Sequence, residues 1–142
     1  MELPVGLDYA WLACDADGCV ARFMNAGEGP VPVVVLANRG FADQADALAR
    51  GLPFVGGCEM RVRLPDPTDY SRIARRGLFG FDWQDATRTA GRSDRYEIVS
   101  RPLRRLRIEE LPPELRKLAE LVRFEGLRFA DSSSIDVGRL VE

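Results

Sequence analysis

The first residues whose types and spacing could do chemistry are Asp15-Ala16-Asp17-Gly18. They match the opening of a calcium loop, in which alternating carboxylates and a glycine wrap the ion. The third acid of that pattern is missing, however, and Glu28 falls at the wrong spacing to close the shell. An aspartate followed by a glycine in the left-handed position is also what a tight hairpin turn needs, and the tetrapeptide is read as that turn. Gly27-Glu28-Gly29-Pro30 has too few glycines and no Lys-Ser/Thr, which argues against a phosphate loop; Glu28 reads first as a plain exposed loop glutamate, with a partner-facing carboxylate held on a stiff loop as the alternative. Asp82 with Asp85, and Asp131 with Asp136, could pair for acid–base work. With 22 acidic residues in the chain such pairs arise by chance, and nothing in the spacing fixes their separation.

What is missing narrows the chemistry further. There is no histidine, which removes Ser-His-Asp and Cys-His nucleophile activation, histidine-ligated metals and the usual general base near neutral pH. Cys14, Cys19 and Cys58 lack C-x-x-C spacing, and a structural zinc site wants four Cys or His ligands. The single lysine, Lys117, falls within a helical pattern. The chain is therefore read as non-enzymatic, with no cofactor and no metal.

Charge is unevenly distributed. Residues 1–60 hold three arginines against eight acids, residues 61–107 twelve arginines against six, and residues 108–142 five bases against eight acids, within a net charge of −2. An acidic end and a basic end would steer a charged macromolecular partner. Arg72, Arg75 and Arg76, with Arg101, Arg104, Arg105 and Arg107 and the aromatics Trp83 and Tyr96, invite a nucleic-acid reading. The pI of about 5.3 and the lack of an RRM, KH or helix-turn-helix signature argue against it.

These residues must be positioned by ordinary elements. A chain of 142 residues fits one domain spanning 1–142. No apolar run approaches the roughly 18 residues that span a membrane, and Met1-Glu2-Leu3-Pro4 is not a signal-peptide start. The cytoplasm is the expected compartment. The first hairpin is read with Cys14 opposite Cys19, Leu12 opposite Ala21 and Ala10 opposite Phe23. Both its faces are largely apolar, placing it inside a covered sheet. In that register the two thiols approach disulfide distance, although a reducing cytoplasm would keep them free.

Helical spacing predicts a helix over 41–51, with Asp43 and Asp46 exposed near its positive end. Alternation predicts a strand over 58–64, and Asp66-Pro67-Thr68 opens a helix running to Arg76. Aromatic-rich 77–83 reads as a strand or tight turn, and 87–94 as a loop. Residues 96–100 and 103–108 read as two strands broken at Pro102, and Leu111 to Phe124 as a helix. Residues 128–130 and 134–137 read as short closing strands. The sum is an α+β fold: a mainly antiparallel sheet with an N-terminal β-hairpin and about three helices packed on it.

The hairpin also carries a resemblance. Tyr9-x-Trp11-Leu12-x-x-Asp15-x-Asp17-Gly18-x-Val20-Ala21-x-Phe23, followed by Ala26-Gly27-x-Gly29-Pro30-x-Pro32, resembles the opening of small bacterial proteins, some of them encoded beside secreted toxins as immunity proteins. Arg76-Gly77-Leu78-Phe79-Gly80-Phe81-Asp82-Trp83, Tyr96-Glu97-Ile98-Val99-Ser100-Arg101-Pro102 and Ile108-Glu109-Glu110-Leu111-Pro112 are similar too. The resemblance implies no cofactor and no catalytic set. It implies a role in occluding a toxin's active site or blocking its assembly.

The leading expectation is an immunity-type protein that neutralises a cognate toxin by protein–protein contact, with no direct binding of nucleic acid and no membrane association. Asp15, Asp17, Glu28, Asp43 and Asp46 would offer an acidic face to a basic toxin cleft. The alternative is an enzyme or small-ligand binder that holds an anionic, phosphorylated molecule in a concave pocket lined by several of Arg61, Arg63, Arg72, Arg101 and Arg105.

Overall fold

Gly18 takes φ +80°, its N–H donates to the Asp15 carbonyl, and Asp15 N–H donates to the Cys19 carbonyl. This is the expected turn, closed by a left-handed glycine. It joins β1 (Ala10–Asp15) to β2 (Val20–Met24). The computed structural model describes residue 6 and residues 8–83 and 95–137; the loop expected at 87–94 lies outside the described residues.

Closing the turn with the extra residue moves the pairing by one position from the sequence reading. Cys14 faces Val20, Leu12 faces Arg22, Trp11 faces Phe23 and Ala10 faces Met24. Because side chains alternate along a strand, a one-residue slip exchanges faces. Trp11, Ala13, Ala21 and Phe23 share one face, while Leu12, Cys14, Val20 and Arg22 share the other. Cys14 and Cys19 therefore do not oppose one another, and all three cysteines are free thiols.

The described residues form one α+β domain around a mixed sheet of order β3-β5-β4-β2-β1-β6, with β7 paired to β5. The remaining strands are β3 (Cys58–Met60), β4 (Phe79–Trp83), β5 (Tyr96–Pro102), β6 (Arg123–Phe124) and β7 (Ser134–Ile135). Four pairings are antiparallel; β2 with β4 and β1 with β6 are parallel. Five α-helical segments occur among the described residues: α1 (Val33–Ala37), α2 (Arg39–Ala42), α3 (Ala45–Arg50), α4 (Thr68–Arg75) and α5 (Pro113–Ala119).

The helix expected over 41–51 is interrupted at Asp43 and Gln44, and the one expected to reach Phe124 ends at Ala119, where the chain turns back to pair β6 with β1. The strand expected over 58–64 keeps only its first three residues. Pro102 ends β5 without breaking it, because the proline is the last residue of the strand. Residues 103–107 form no named strand, and 129–131 is a 3-10 turn instead of a closing strand.

The hydrophobic core continues on both faces of the sheet. On one, Phe23 stacks on Trp11 at 4.2 Å and on Phe81 at 4.9 Å between ring centroids, with Tyr96, Phe124 and Phe129 around it. Such pairs contribute about 0.5–1.5 kcal/mol each beyond area burial. The Trp11 indole N–H donates to the Tyr96 hydroxyl, which donates to the Pro30 carbonyl and so ties down the 25–32 loop. The other face carries α3, α4 and α5, which bury Ala45, Ala49, Ile73, Leu115 and Leu118. Arg22 is on that face.

Candidate functional site

The five acids read from sequence as a binding face do not form one. Asp15 is buried, and its carboxylate accepts the backbone N–H groups of Asp17, Cys19 and Phe129. It fixes the hairpin turn to the far end of the chain and offers no surface to a partner. Asp17, beside it, lies 3.3 Å from the Arg128 guanidinium. Glu28 is exposed, but at the opposite end of β2, about 20 Å away at some 3.3 Å per residue.

The Glu28 loop is held by Asn25. The side-chain oxygen of this buried residue accepts the Tyr9 and Gly27 N–H groups, and its carbonyl accepts those of Glu28 and Gly29. Asp43 accepts the Tyr9 hydroxyl at 2.7 Å and faces Arg39. Burial, and next the Asp43 carboxylate, push the Tyr9 hydroxyl well above its ordinary range, so it remains a donor. Asp43 and Asp46 belong to the same helical region, but Asp46 is engaged elsewhere.

Its partner is Arg22, whose side chain is wholly buried at the centre of β2. The two guanidinium ends meet Asp69 of α4 at 2.6 and 3.3 Å, and one also meets Asp46 of α3 at 3.3 Å. Arg50 closes the square, at 2.8 Å from Asp46 and 2.7 Å from Asp69. Burial alone would push the Asp69 carboxyl up; Arg22 and Arg50 outweigh it and hold that carboxyl below its ordinary range.

The Tyr70 ring lies 5.2 Å beneath the Arg22 guanidinium, in a place that Gly80, the partner of Arg22 on β4, leaves open. A Cβ at Gly80 would fall 3.0 Å from the Tyr70 ring and 2.5 Å from Ser100 Oγ. This clamp joins β2, α3 and α4. The sequence reading missed it; the available signal was a lone arginine in a hairpin otherwise apolar on both faces.

The arginines of the alternative reading are not gathered into one pocket. Arg61 and Arg63 line an open groove of about 440 Å³ with Met60, Val62, Leu64 and Pro67, and Arg61 pairs with Glu59. Arg101 donates to the Ala130 carbonyl, Arg105 lies over the Phe79 ring, and Arg72 is on the exposed face of α4. Of the carboxylate pairs, Asp82 is on β4 while Asp85 lies outside the described residues. Asp131 ends the 3-10 turn and Asp136 follows β7. Among the described residues no cluster of three His, Cys, Asp or Glu could hold a metal, and no helix is long and apolar enough to cross a membrane.

What the fold does gather is a cationic, partly apolar surface. Phe54 is 51% exposed, and the guanidiniums of Arg76 and Arg75 lie over its ring at 4.4 and 5.2 Å. Arg76 is fixed further by donating to the carbonyls of Leu52 and Arg72. The Val55 and Gly56 N–H groups donate to the Arg75 carbonyl, binding the loop to the end of α4. The loop then runs against Arg104 at Gly56 and Leu103 at Gly57, and Leu103 is 69% exposed. Among the described residues no carboxylate lies within 4 Å of Arg72, Arg75 or Arg105, and Arg104 has only Glu110, at 3.9 Å. The recurrence of Arg72, Arg75 and Arg76 along one helical segment was legible in the sequence. Their meeting with Phe54 and Leu103 was not.

Compared with protein-family models, with curated proteins and with solved structures, the chain matches none.

Proposed function

We propose that the chain is a non-catalytic binding protein of the immunity type, which acts in the cytoplasm by holding a cognate bacterial toxin through protein–protein contact. The observation that carries this reading is the surface around Phe54 and Leu103. Aromatic residues and arginine are the types enriched where proteins meet, and exposed apolar side chains ringed by guanidiniums have the make-up of a binding patch. The scaffold beneath is tied by the Arg22 clamp and the aromatic stack, so binding need not wait for the surface to order.

The test is co-expression with the toxin-like C-terminal domain of a secreted protein encoded directly upstream of the chain's gene. Rescue of growth together with a stable complex on size exclusion is the expected result. Metabolic genes on both sides and no complex with any neighbour's product would overturn the reading.

The groove beside Arg61 and Arg63 favours the alternative, a small anionic ligand. Saturable thermal stabilisation by one nucleotide or phosphorylated metabolite, lost in Arg63→Ala, would bring that reading forward.

A further inference from the structure

We infer that the contact surface of this protein is the arginine patch formed by the end of α4, the 54–57 loop and Leu103–Arg104, and that its partner is an acidic polypeptide surface carrying an apolar side chain. The inference rests on the binding reading above and moves the contact away from the N-terminal acids.

Three observations carry it. First, the N-terminal acids are largely compensated, whereas two arginines of the patch have no carboxylate partner among the described residues. Four of the five N-terminal acids already have a named donor: Asp15 three backbone N–H groups, Asp17 an arginine, Asp43 a tyrosine and an arginine, and Asp46 two arginines. Arg72 and Arg75 have no carboxylate within 4 Å among the described residues, while Glu59 pairs with Arg61, Asp69 pairs with Arg22 and Arg50, and Arg104 of the patch has Glu110 only at 3.9 Å. A partner that supplied carboxylates here would meet cations not yet neutralised.

Second, the guanidiniums are already positioned. Arg76 is held by two carbonyls and by the Phe54 ring, so two of its five N–H donors are used and three have no partner among the described residues. Burial first, and then Arg72 and Arg50, pull Arg76 below its ordinary pKa against a smaller opposing effect of Asp69. A planar fork fixed in this way matches a carboxylate with two parallel hydrogen bonds at little further cost in side-chain entropy.

Third, the apolar component selects protein over nucleic acid. Two guanidiniums lie over the half-exposed Phe54 ring at 4.4 and 5.2 Å, so a base stacking there would have to share the ring with them. Leu103, the most exposed large apolar side chain described, offers nothing to a phosphate backbone and needs an apolar counterpart.

The experiment pans a phage-displayed library of random dodecapeptides on the full chain and, in parallel, on Arg75→Glu/Arg76→Glu. Enriched peptides should be acidic, should carry a leucine or an aromatic residue, and should bind the variant at least about tenfold more weakly, the loss expected at a binding hot spot. Their affinity should also fall with added salt. Leu103→Ser/Arg104→Glu, on a separate segment, should weaken the same peptides and keeps the test valid if the α4 variant does not fold.

Neutral or basic peptides, or equal binding by both folded variants, would overturn the inference. So would tighter binding of a 20-nucleotide oligo-dT than of any peptide. If the chain neutralises a toxin and Arg75→Glu/Arg76→Glu neutralises it equally well, the binding reading stands and this surface assignment falls. If acidic peptides select this patch but no toxin complex forms, the surface stands and the immunity role falls.

Discussion

Substituting Asp69 with asparagine tests the Arg22 clamp at its closest contact. The change keeps size and one acceptor oxygen but removes the charge that meets both ends of the guanidinium at 2.6 and 3.3 Å. Breaking a fully buried ion pair from one side costs roughly 3–5 kcal/mol, because a charge is left in low dielectric without a counter-ion. Here the cost is smaller. Asp46 still faces Arg22 at 3.3 Å, and the Asp69 side chain is 35% exposed, so solvent already screens part of the attraction. About 2 kcal/mol is expected, read as a lower urea midpoint at unchanged slope and a melting temperature lower by about 6–8 °C.

Arg22→Met provides the comparison. It removes the buried charge while filling a similar volume, and leaves Asp46 and Asp69 partly solvated beside Arg50, so its cost should be about 1 kcal/mol or less. The double variant should be no less stable than Arg22→Met alone, giving a coupling of about 2 kcal/mol or more in the cycle. If Arg22→Met proves clearly more damaging than Asp69→Asn, or the two effects simply add, the clamp is not a counter-ion site and the reasoning fails.

Further predictions concern the same supports. The folded chain should lose stability as pH falls below about 4. The Asp69 carboxyl is held below its ordinary range, so the unfolded chain takes the proton first; its contribution is whole above the unfolded value and disappears as pH falls through the lower native one. Asp69→Asn should flatten that acid limb in urea titrations run at several pH values. Asp15→Ala should cost about 3 kcal/mol or more in the same assay, since three backbone donors at the hairpin turn lose their acceptor; a cost under about 1 kcal/mol would refute its structural role. Gly80→Ala should cost about 1–3 kcal/mol by pushing against Ser100 and the Tyr70 ring, and wild-type stability would show that the packing relaxes freely. Cys14 and Cys19 are buried, which pushes both thiols up, whereas Cys58 is half-buried. Intact mass after iodoacetamide should therefore show one rapid label on the native chain and three in urea, and a Cys14–Cys19 disulfide would contradict the observed register.

Features that depend on residues a few positions apart were legible in the sequence by itself. The Asp15–Gly18 turn follows from the φ freedom of Gly18 and the inward Ile73 and Ala74 of α4 from helical period, while the aromatic run at 77–83 left a strand or a tight turn where β4 forms. Those features sufficed to assign an α+β chain with an N-terminal hairpin. Register was within reach as well, since a turn closed by a left-handed Gly18 takes in Cys19 and sets Cys14 opposite Val20.

The partners of Arg22 were of another kind. They lie 24 and 47 residues away, on two helices that meet over β2 only because the parallel pairing of β2 with β4 brings α4 back across the same sheet face. No local pattern states which carboxylates a buried cation will take, nor which arginines are left facing solvent once those pairs are made. The turn and the helix faces therefore belonged to the sequence. The clamp, the splitting of the acids between two ends of the hairpin and the uncompensated patch at Phe54 and Leu103 were decided by tertiary structure, because charge neutralisation acts between segments that only the packed sheet brings together.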